Sequence, residues 1–221
     1  MINNSGEVLF WDARWKDGQT GWDLGGPHPL LAELVNRAVV AGLPESSSIY
    51  IPGCGRAHDA VWFAGRGFKV VAADFSATAI EAAGKNLKLL IQSGAIENDV
   101  ASRIELRVED ATNCDAQDES YYQAVFDRAM YCALRPELRS DYLDAIAERL
   151  ASGGFFLSLP FSQTATTPEK PKGSGPPFEV TKAQMIDHFS QYFELIAFEP
   201  RRDGATDQRV IEEFLTIWKR L

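Results

Sequence analysis

The sequence predicts an α/β domain built on a doubly wound, largely parallel seven-stranded sheet with an antiparallel last strand. Three observations predict it. From Ser48 onward, short apolar runs alternate with stretches of helical periodicity, the pattern of strands joined by crossover helices. Gly53 and Gly55 follow the first run and Asp74 closes the second, as in sheets that bind ligands beyond the carboxyl ends of their strands. The length of 221 residues, with 45% hydrophobic and 24% charged side chains, suits a single core.

The elements follow in order. Trp11 and Trp15 stand one helical turn apart and share a face. After Pro29, Leu30, Leu34, Ala38 and Ala41 keep helical spacing and Gly42 stops the run, which makes 9–42 an N-terminal helical cap. Ser48–Pro52 reads as the first strand, and Gly53-Cys54-Gly55 turns the chain into a helix carrying Val61 and Phe63. Phe68–Ala73 is the second strand. Ser76 caps the next helix, with Ile80, Ala83, Leu87 and Leu90 along one side. Ile104–Val108 and Ala124–Asp127 read as strands three and four. Pro136 opens a helix bearing Leu138, Tyr142, Ile146 and Leu150, ended by Gly153-Gly154, and Phe155–Leu159 is strand five. A Pro-, Gly-, Ser- and Thr-rich stretch within 161–180 is too long for an ordinary connection and reads as a lid. A helix from Thr181 and strands near Phe193–Phe198 and Ile211–Trp218 complete one domain over 1–221.

Charge and composition exclude several functions. A formal net charge of −9 argues against nucleic acid as a partner, since phosphate binding needs a basic face. No apolar run reaches the roughly 18–20 residues of a membrane span, and residues Met1–Glu7 lack a signal-peptide core. Cys54, Cys114 and Cys132, with His28, His58 and His188, show no metal-ligand or disulfide spacing. A cytoplasmic monomer acting on a small molecule, without a metal, is the expectation.

The strand ends carry the chemistry. Glycines after strand one let a ligand approach the backbone, and an acid ending strand two suits ribose hydroxyls. A dinucleotide fingerprint requires a third glycine where His58 stands, whereas Gly53-x-Gly55-x-Ala57 is the looser loop of adenosylmethionine enzymes. Glu109-Asp110 suits an acid beside an adenine amino group. Read from these residues alone, a nicotinamide-dependent oxidoreductase and a non-catalytic nucleoside-binding module stay open beside a methyltransferase.

Longer motifs narrow this. The segments Trp11-Asp-Ala-Arg-Trp15, Gly18-Gln-Thr-Gly-Trp22-Asp23, Pro52-Gly-Cys-Gly55, Val70-Val-Ala-Ala-Asp74-Phe-Ser76, Phe126-Asp127-Arg128-Ala129, Cys132-Ala133-Leu134 and Gly175-Pro-Pro-Phe178 run through most of the chain. Together they resemble the thiopurine S-methyltransferase family, including its halide and thiol methyltransferase branch. The resemblance implies a class I methyltransferase, Rossmann-like, using S-adenosyl-L-methionine and releasing S-adenosyl-L-homocysteine. It implies cofactor contacts from Trp11, Trp15, Trp22, Gly53, Asp74, Asp110 and Arg128. Arg128, where the plant halide enzymes have tyrosine, is also a candidate for holding an anionic acceptor, and Phe178 for covering it. The implied reaction is direct in-line methyl displacement by a small soft nucleophile, a thiol, thiopurine, thiocyanate or halide, with no obligatory acid or base. Cys132 lies in an apolar stretch without an adjacent base and reads as a buried small hydrophobe rather than a nucleophile.

Overall fold

A strand covered by helices on both faces must be apolar on both sides, and the central runs obey this. Strand β1 (Ser48–Pro52) buries its last four residues, and β2 (Lys69–Asp74) its last five. The two pair in parallel from Ser48↔Lys69 to Pro52↔Ala73. Strand β3 (Ile104–Val108) joins β2, β4 (Tyr122–Arg128) joins β1, and β5 (Leu150–Leu159) joins β4, all in parallel. Strands β6 (Phe193–Arg201) and β7 (Glu212–Arg220) close the sheet, with β7 antiparallel to both β5 and β6. The order is β3-β2-β1-β4-β5-β7-β6. This structure, a computed structural model, describes residues 5–119, 121–162, 175–201 and 212–221.

Beyond β5, Phe161 and Ser162 pair with Glu213 and Glu212 in the register already set by Ser158↔Thr216. They are a continuation of β5 past Pro160, which has no N–H to donate but still accepts from Phe214 N at 3.0 Å. The lid expected over 161–180 is described at its two ends, and 163–174 lies outside the described residues.

The period-two alternation of the strands divides the core. Ile49, Ile51, Val70 and Phe126 face α2 (Leu31–Val40) and α3 (His58–Ala64). Tyr50, Val71, Val125 and Phe156 face α7 (Arg139–Arg149) and α8 (Lys182–Phe189). Local signals set the helix ends. Gly42, at φ +113°, stops α2. Ser76 Oγ accepts from Ala79 N to start α4 (Ala77–Gln92), and Thr181 with Gln184 forms a capping box for α8. Helix α1 (Ser5–Lys16) is tied down by Asp12, whose Oδ1 accepts from Ser76 Oγ at 2.5 Å and from Thr78 N at 3.3 Å. The Ser76 hydrogen bond holds the Asp12 carboxyl down at about 2.

One boundary differs from the sequence expectation. Helix α7 ends at Arg149 and β5 begins at once, so Gly153-Gly154 lies inside the strand. The register jumps there, from Tyr122↔Leu150 to Ala124↔Phe155. A Cβ on Gly154 would sit 2.8 Å from Ala151 O and 3.2 Å from Gln123 O. The glycines therefore serve a bulge, not a helix stop. Short helices α5 (Asn98–Ser102) and α6 (Met130–Ala133) have no clear periodicity and were not foreseen. Among the described residues, no helix is long and apolar enough to cross a membrane.

Candidate active site

An open cavity of about 900 Å³ lies beyond the carboxyl ends of β1, β2, β3 and β4. Its floor is Gly53, Gly55, Asp74, Phe75, Glu109 and Ala111. Trp11, Arg14, Trp15 and Trp22 roof it, and Met130, Cys132, Leu134, Phe161, Pro176 and Pro177 form the far wall. Gly55, at φ +53°, is needed twice over. Its backbone is left-handed, and a Cβ there would lie 3.4 Å from the Trp15 ring.

Asp74 is the floor's ligand-ready acid. Its Oδ2 accepts from Gly55 N at 3.2 Å and its Oδ1 from Ser76 N at 3.0 Å. An ionised carboxylate has about four acceptor positions, so capacity remains for donors from the cavity. Burial pushes this carboxyl up to about 6 despite the two backbone N–H groups.

Asp127 acts differently. Wholly buried, it accepts from Met130 N at 2.8 Å and Tyr142 Oη at 2.9 Å, and from Tyr131 N. It thereby holds the turn in which Ala129 adopts φ +63°, a left-handed conformation rare for alanine. Burial raises the Asp127 carboxyl to about 6. The next residue, Arg128, donates from Nη1 to Trp22 O at 3.1 Å and lies 5.8 Å from the Phe161 ring centroid.

The indoles form an edge-to-face cluster, Trp11–Trp22 at 5.2 Å and Trp15–Trp22 at 5.9 Å. Guanidiniums already lie over them: Arg14 is 5.9 Å from Trp11 and 5.7 Å from Trp22, and Arg56 is 5.5 Å from Trp15. A cationic ligand brought here shares the ring faces with these two guanidiniums, which tempers any cation–π attraction.

Six of the expected residues, Trp11, Trp15, Trp22, Gly53, Asp74 and Arg128, meet on this one cavity. Two stand off its wall. Asp110 turns Oδ1 back to Thr112 N at 3.0 Å and Thr112 Oγ1 at 2.7 Å, while its neighbours Glu109 and Ala111 line the cavity. Glu109 is itself engaged by Tyr50 Oη at 2.8 Å and by the buried Arg149 at 2.5 Å. Phe178 donates its N–H to Cys132 O at 2.7 Å and packs its ring on Gly175, where a Cβ would come within 2.5 Å. Pro176 and Pro177, not Phe178, face the cavity. Arg14 was missed, although its place between two tryptophans of one helix puts it beside them. Cys132 does line the wall, but burial raises its thiol to about 12, so it stays neutral.

A second lobe of about 550 Å³ shares Trp15, Trp22, Gly53, Gly55 and Arg128 with the first and adds Asp23, Arg56, His58 and Asp59. His28 lies outside both, buried with Nε2 2.8 Å from Glu213 Oε2.

With this geometry in hand, comparison with known proteins is decisive. The sequence model of the thiopurine S-methyltransferase family matches residues 7–214. The chain belongs to the thiopurine S-methyltransferase family. A thiopurine S-methyltransferase of Xanthomonas campestris pv. campestris is 32% identical over 197 residues, covering 87% of this chain and 86% of that protein. A probable thiol methyltransferase 2 of Arabidopsis thaliana is 30% identical over 174 residues, covering 79% of this chain and 68% of its own length. Among solved structures, 1,6-didemethyltoxoflavin-N1-methyltransferase of Burkholderia thailandensis, bound to 1,6-didemethyltoxoflavin and S-adenosylhomocysteine, aligns with TM-score 0.70 at 15% identity. That match spans 100% of this chain and 90% of the other, and shows the class I fold. This member of the thiopurine S-methyltransferase family is an S-adenosylmethionine-dependent methyltransferase. The nicotinamide alternative falls with that membership: His58 replaces the third glycine and opens α3 instead.

Proposed function

We propose that the cavity binds S-adenosylmethionine between Asp74 and the three indoles, and directs methyl transfer to a small soft nucleophile at the far wall. The candidates are a thiol, thiopurine, thiocyanate or halide. The observation that carries this reading is the division of the cavity's polarity. Its floor offers a carboxylate and a glycine cradle, while Met130, Cys132, Leu134, Phe161, Pro176 and Pro177 supply no ionised group.

The residues fit the cofactor. Asp74 retains acceptor capacity for a ribose diol, Gly55 leaves open the space a Cβ would fill, and Arg128 presents a guanidinium toward carboxylate or acceptor. S-adenosylmethionine supplies a methyl group already activated on a sulfonium, open to in-line displacement. The chain's own contribution is to align and to dry. The Trp roof and Pro176-Pro177 confine the acceptor, and confinement in line is worth several orders of magnitude in rate. No imidazole stands on the main cavity's wall among the described residues, and of its two carboxylates Asp74 is given to the ribose and Glu109 to Tyr50 and Arg149, so the acceptor enters as an anion or loses its proton to solvent.

The test is an acceptor panel of iodide, thiocyanate, hydrogen sulfide, aromatic thiols, thiopurines and tellurite, assayed with labelled S-adenosylmethionine. At least one soft acceptor is methylated, and above pH 7 the kcat/KM for thiols rises with the thiol's own ionisation while that for iodide stays flat. Turnover confined to amines or alcohols, or no turnover, refutes the reading.

A further inference from the structure

Arg14 is a cation of the main cavity with no opposite charge beside it. It lies in the last turn of α1, where the helix's unpaired carbonyls favour a positive group. The acids of its own helix are engaged elsewhere, Asp12 by Ser76, Thr78 and Lys16, and Glu7 by Arg135 at 2.8 Å. Among the described residues no carboxylate comes within ion-pair distance of the Arg14 guanidinium, and its buried Nε has no hydrogen-bond partner. Its neighbours are rings. Its Cζ lies 5.2 Å from the Phe10 centroid, 5.9 Å from Trp11 and 5.7 Å from Trp22. Phe10 is 41% exposed, so Arg14 stands at the rim, whereas Trp15, packed over Gly55, takes its cation from Arg56.

The other guanidinium of the lining, Arg128, holds the carbonyl of Trp22, the residue whose ring Arg14 covers. Against these cations the lining sets Asp74 and Glu109, and Glu109 is already offset by the buried Arg149. The cavity is therefore left positive even before a sulfonium arrives. A second substrate that carries negative charge restores the balance. We propose that Arg14 binds the acceptor as an anion, so that the acceptor's charge, more than its size, decides what is methylated. The inference rests on the methyl-transfer reading above and names the acceptor class within it, soft anions. In the transfer the anion's lone pair forms the bond to the methyl carbon as the carbon–sulfur pair returns to sulfur. Anion and sulfonium thus give two products without net charge. A cation beside the nucleophile favours the bound anion over the transition state, in which that charge is dispersed. The contribution of Arg14 accordingly belongs to KM and not to kcat.

The test follows labelled thiocyanate by equilibrium dialysis against the S-adenosylhomocysteine complex, at constant ionic strength because salt screens a half-exposed charge. Wild type should bind it, Arg14→Gln about tenfold more weakly, the scale of one charge-assisted hydrogen bond, and Arg14→Lys in between. Methyl thiocyanate, similar in shape but uncharged, should bind all these proteins alike. In turnover of an anionic acceptor, Arg14→Gln should raise the acceptor's KM about tenfold, with kcat and the KM of S-adenosylmethionine little changed. Thiocyanate bound equally by wild type and Arg14→Gln, or not bound by wild type, refutes the proposal. So does an Arg14→Gln protein that loses S-adenosylhomocysteine. If 5′-methylthioadenosine is retained, the guanidinium belongs to the cofactor's carboxylate; if both ligands are lost, in Arg14→Lys as well, it belongs to the fold. Thiocyanate held through Arg14 by a protein that methylates none of the acceptor panel would instead sink the function proposed above and leave the anion site standing.

Discussion

Replacing Asp74 by asparagine should make the apoprotein more stable at pH 8 while nearly abolishing cofactor affinity. Burial lifts this carboxyl from 3.8 to about 6. A shift of about 2 units corresponds to ~3 kcal/mol of destabilisation when the group is ionised. The sign follows from the direction. An acid raised on folding contributes its stability fully below 3.8 and loses it as pH rises through about 6. Asparagine escapes that loss and still accepts from Ser76 N–H, but its amide would confront Gly55 N–H, at a cost of about 1 kcal/mol. The net expectation is ~2 kcal/mol of stabilisation above pH 6, shrinking toward pH 4. On the ligand side, weakening two charge-assisted ribose hydrogen bonds by ~1.5 kcal/mol each amounts to roughly 100-fold in affinity. Urea denaturation and calorimetry with S-adenosylhomocysteine at pH 8, 6.5 and 5 read both effects. Wild-type affinity should itself fall below pH 6 as the carboxylate is protonated. Unchanged affinity in Asp74→Asn, or wild-type affinity that is flat from pH 8 to 5, refutes the role of this acid.

Two further substitutions probe the surroundings. Gly55→Ala introduces a Cβ 3.4 Å from Trp15 at a positive φ, so it should destabilise by about 1–2 kcal/mol and weaken the cofactor at least tenfold, measured by denaturation and calorimetry. Arg149→Met strips the half-buried Glu109 of its closer cation, leaving Arg107 at 3.7 Å, and removes the guanidinium lying 4.6 Å from the Tyr50 ring centroid, so urea unfolding should show a loss of about 1.5–3 kcal/mol.

How much could be read from the sequence depends on how local each signal is. Ser76, Thr181 and Gly42 act on their own helix ends, and the structure places those ends where the residues imply. The place of Asp74 and Gly55 on the cavity was readable because the end of a parallel strand opens onto the crevice beyond it. Gly153-Gly154 misled, because a glycine pair after a helix resembles a stop unless the register of the neighbouring strand is known. Arg149 looks like an ordinary polar residue at a helix end, yet it is buried on Glu109, 40 positions away. Asp110 and Phe178 share that limit. Adjacent residues of a loop compete to face the cavity, and tertiary packing turned Glu109, Ala111, Pro176 and Pro177 inward.

The position of β7 has a kinetic consequence. It is the last strand in chain order, yet it lies inside the sheet, bonded to β5 on one side and β6 on the other. Phe189 stacks on Phe156 at 5.4 Å and meets Trp218 at 5.0 Å, so one aromatic nucleus spans α8, β5 and β7. Such pairings have high contact order, and the loop-closure entropy must be overcome before they return any energy. Until β7 arrives, β6 has no neighbour and β5 shows a bare edge, which makes this half of the sheet the slow and aggregation-prone part of refolding.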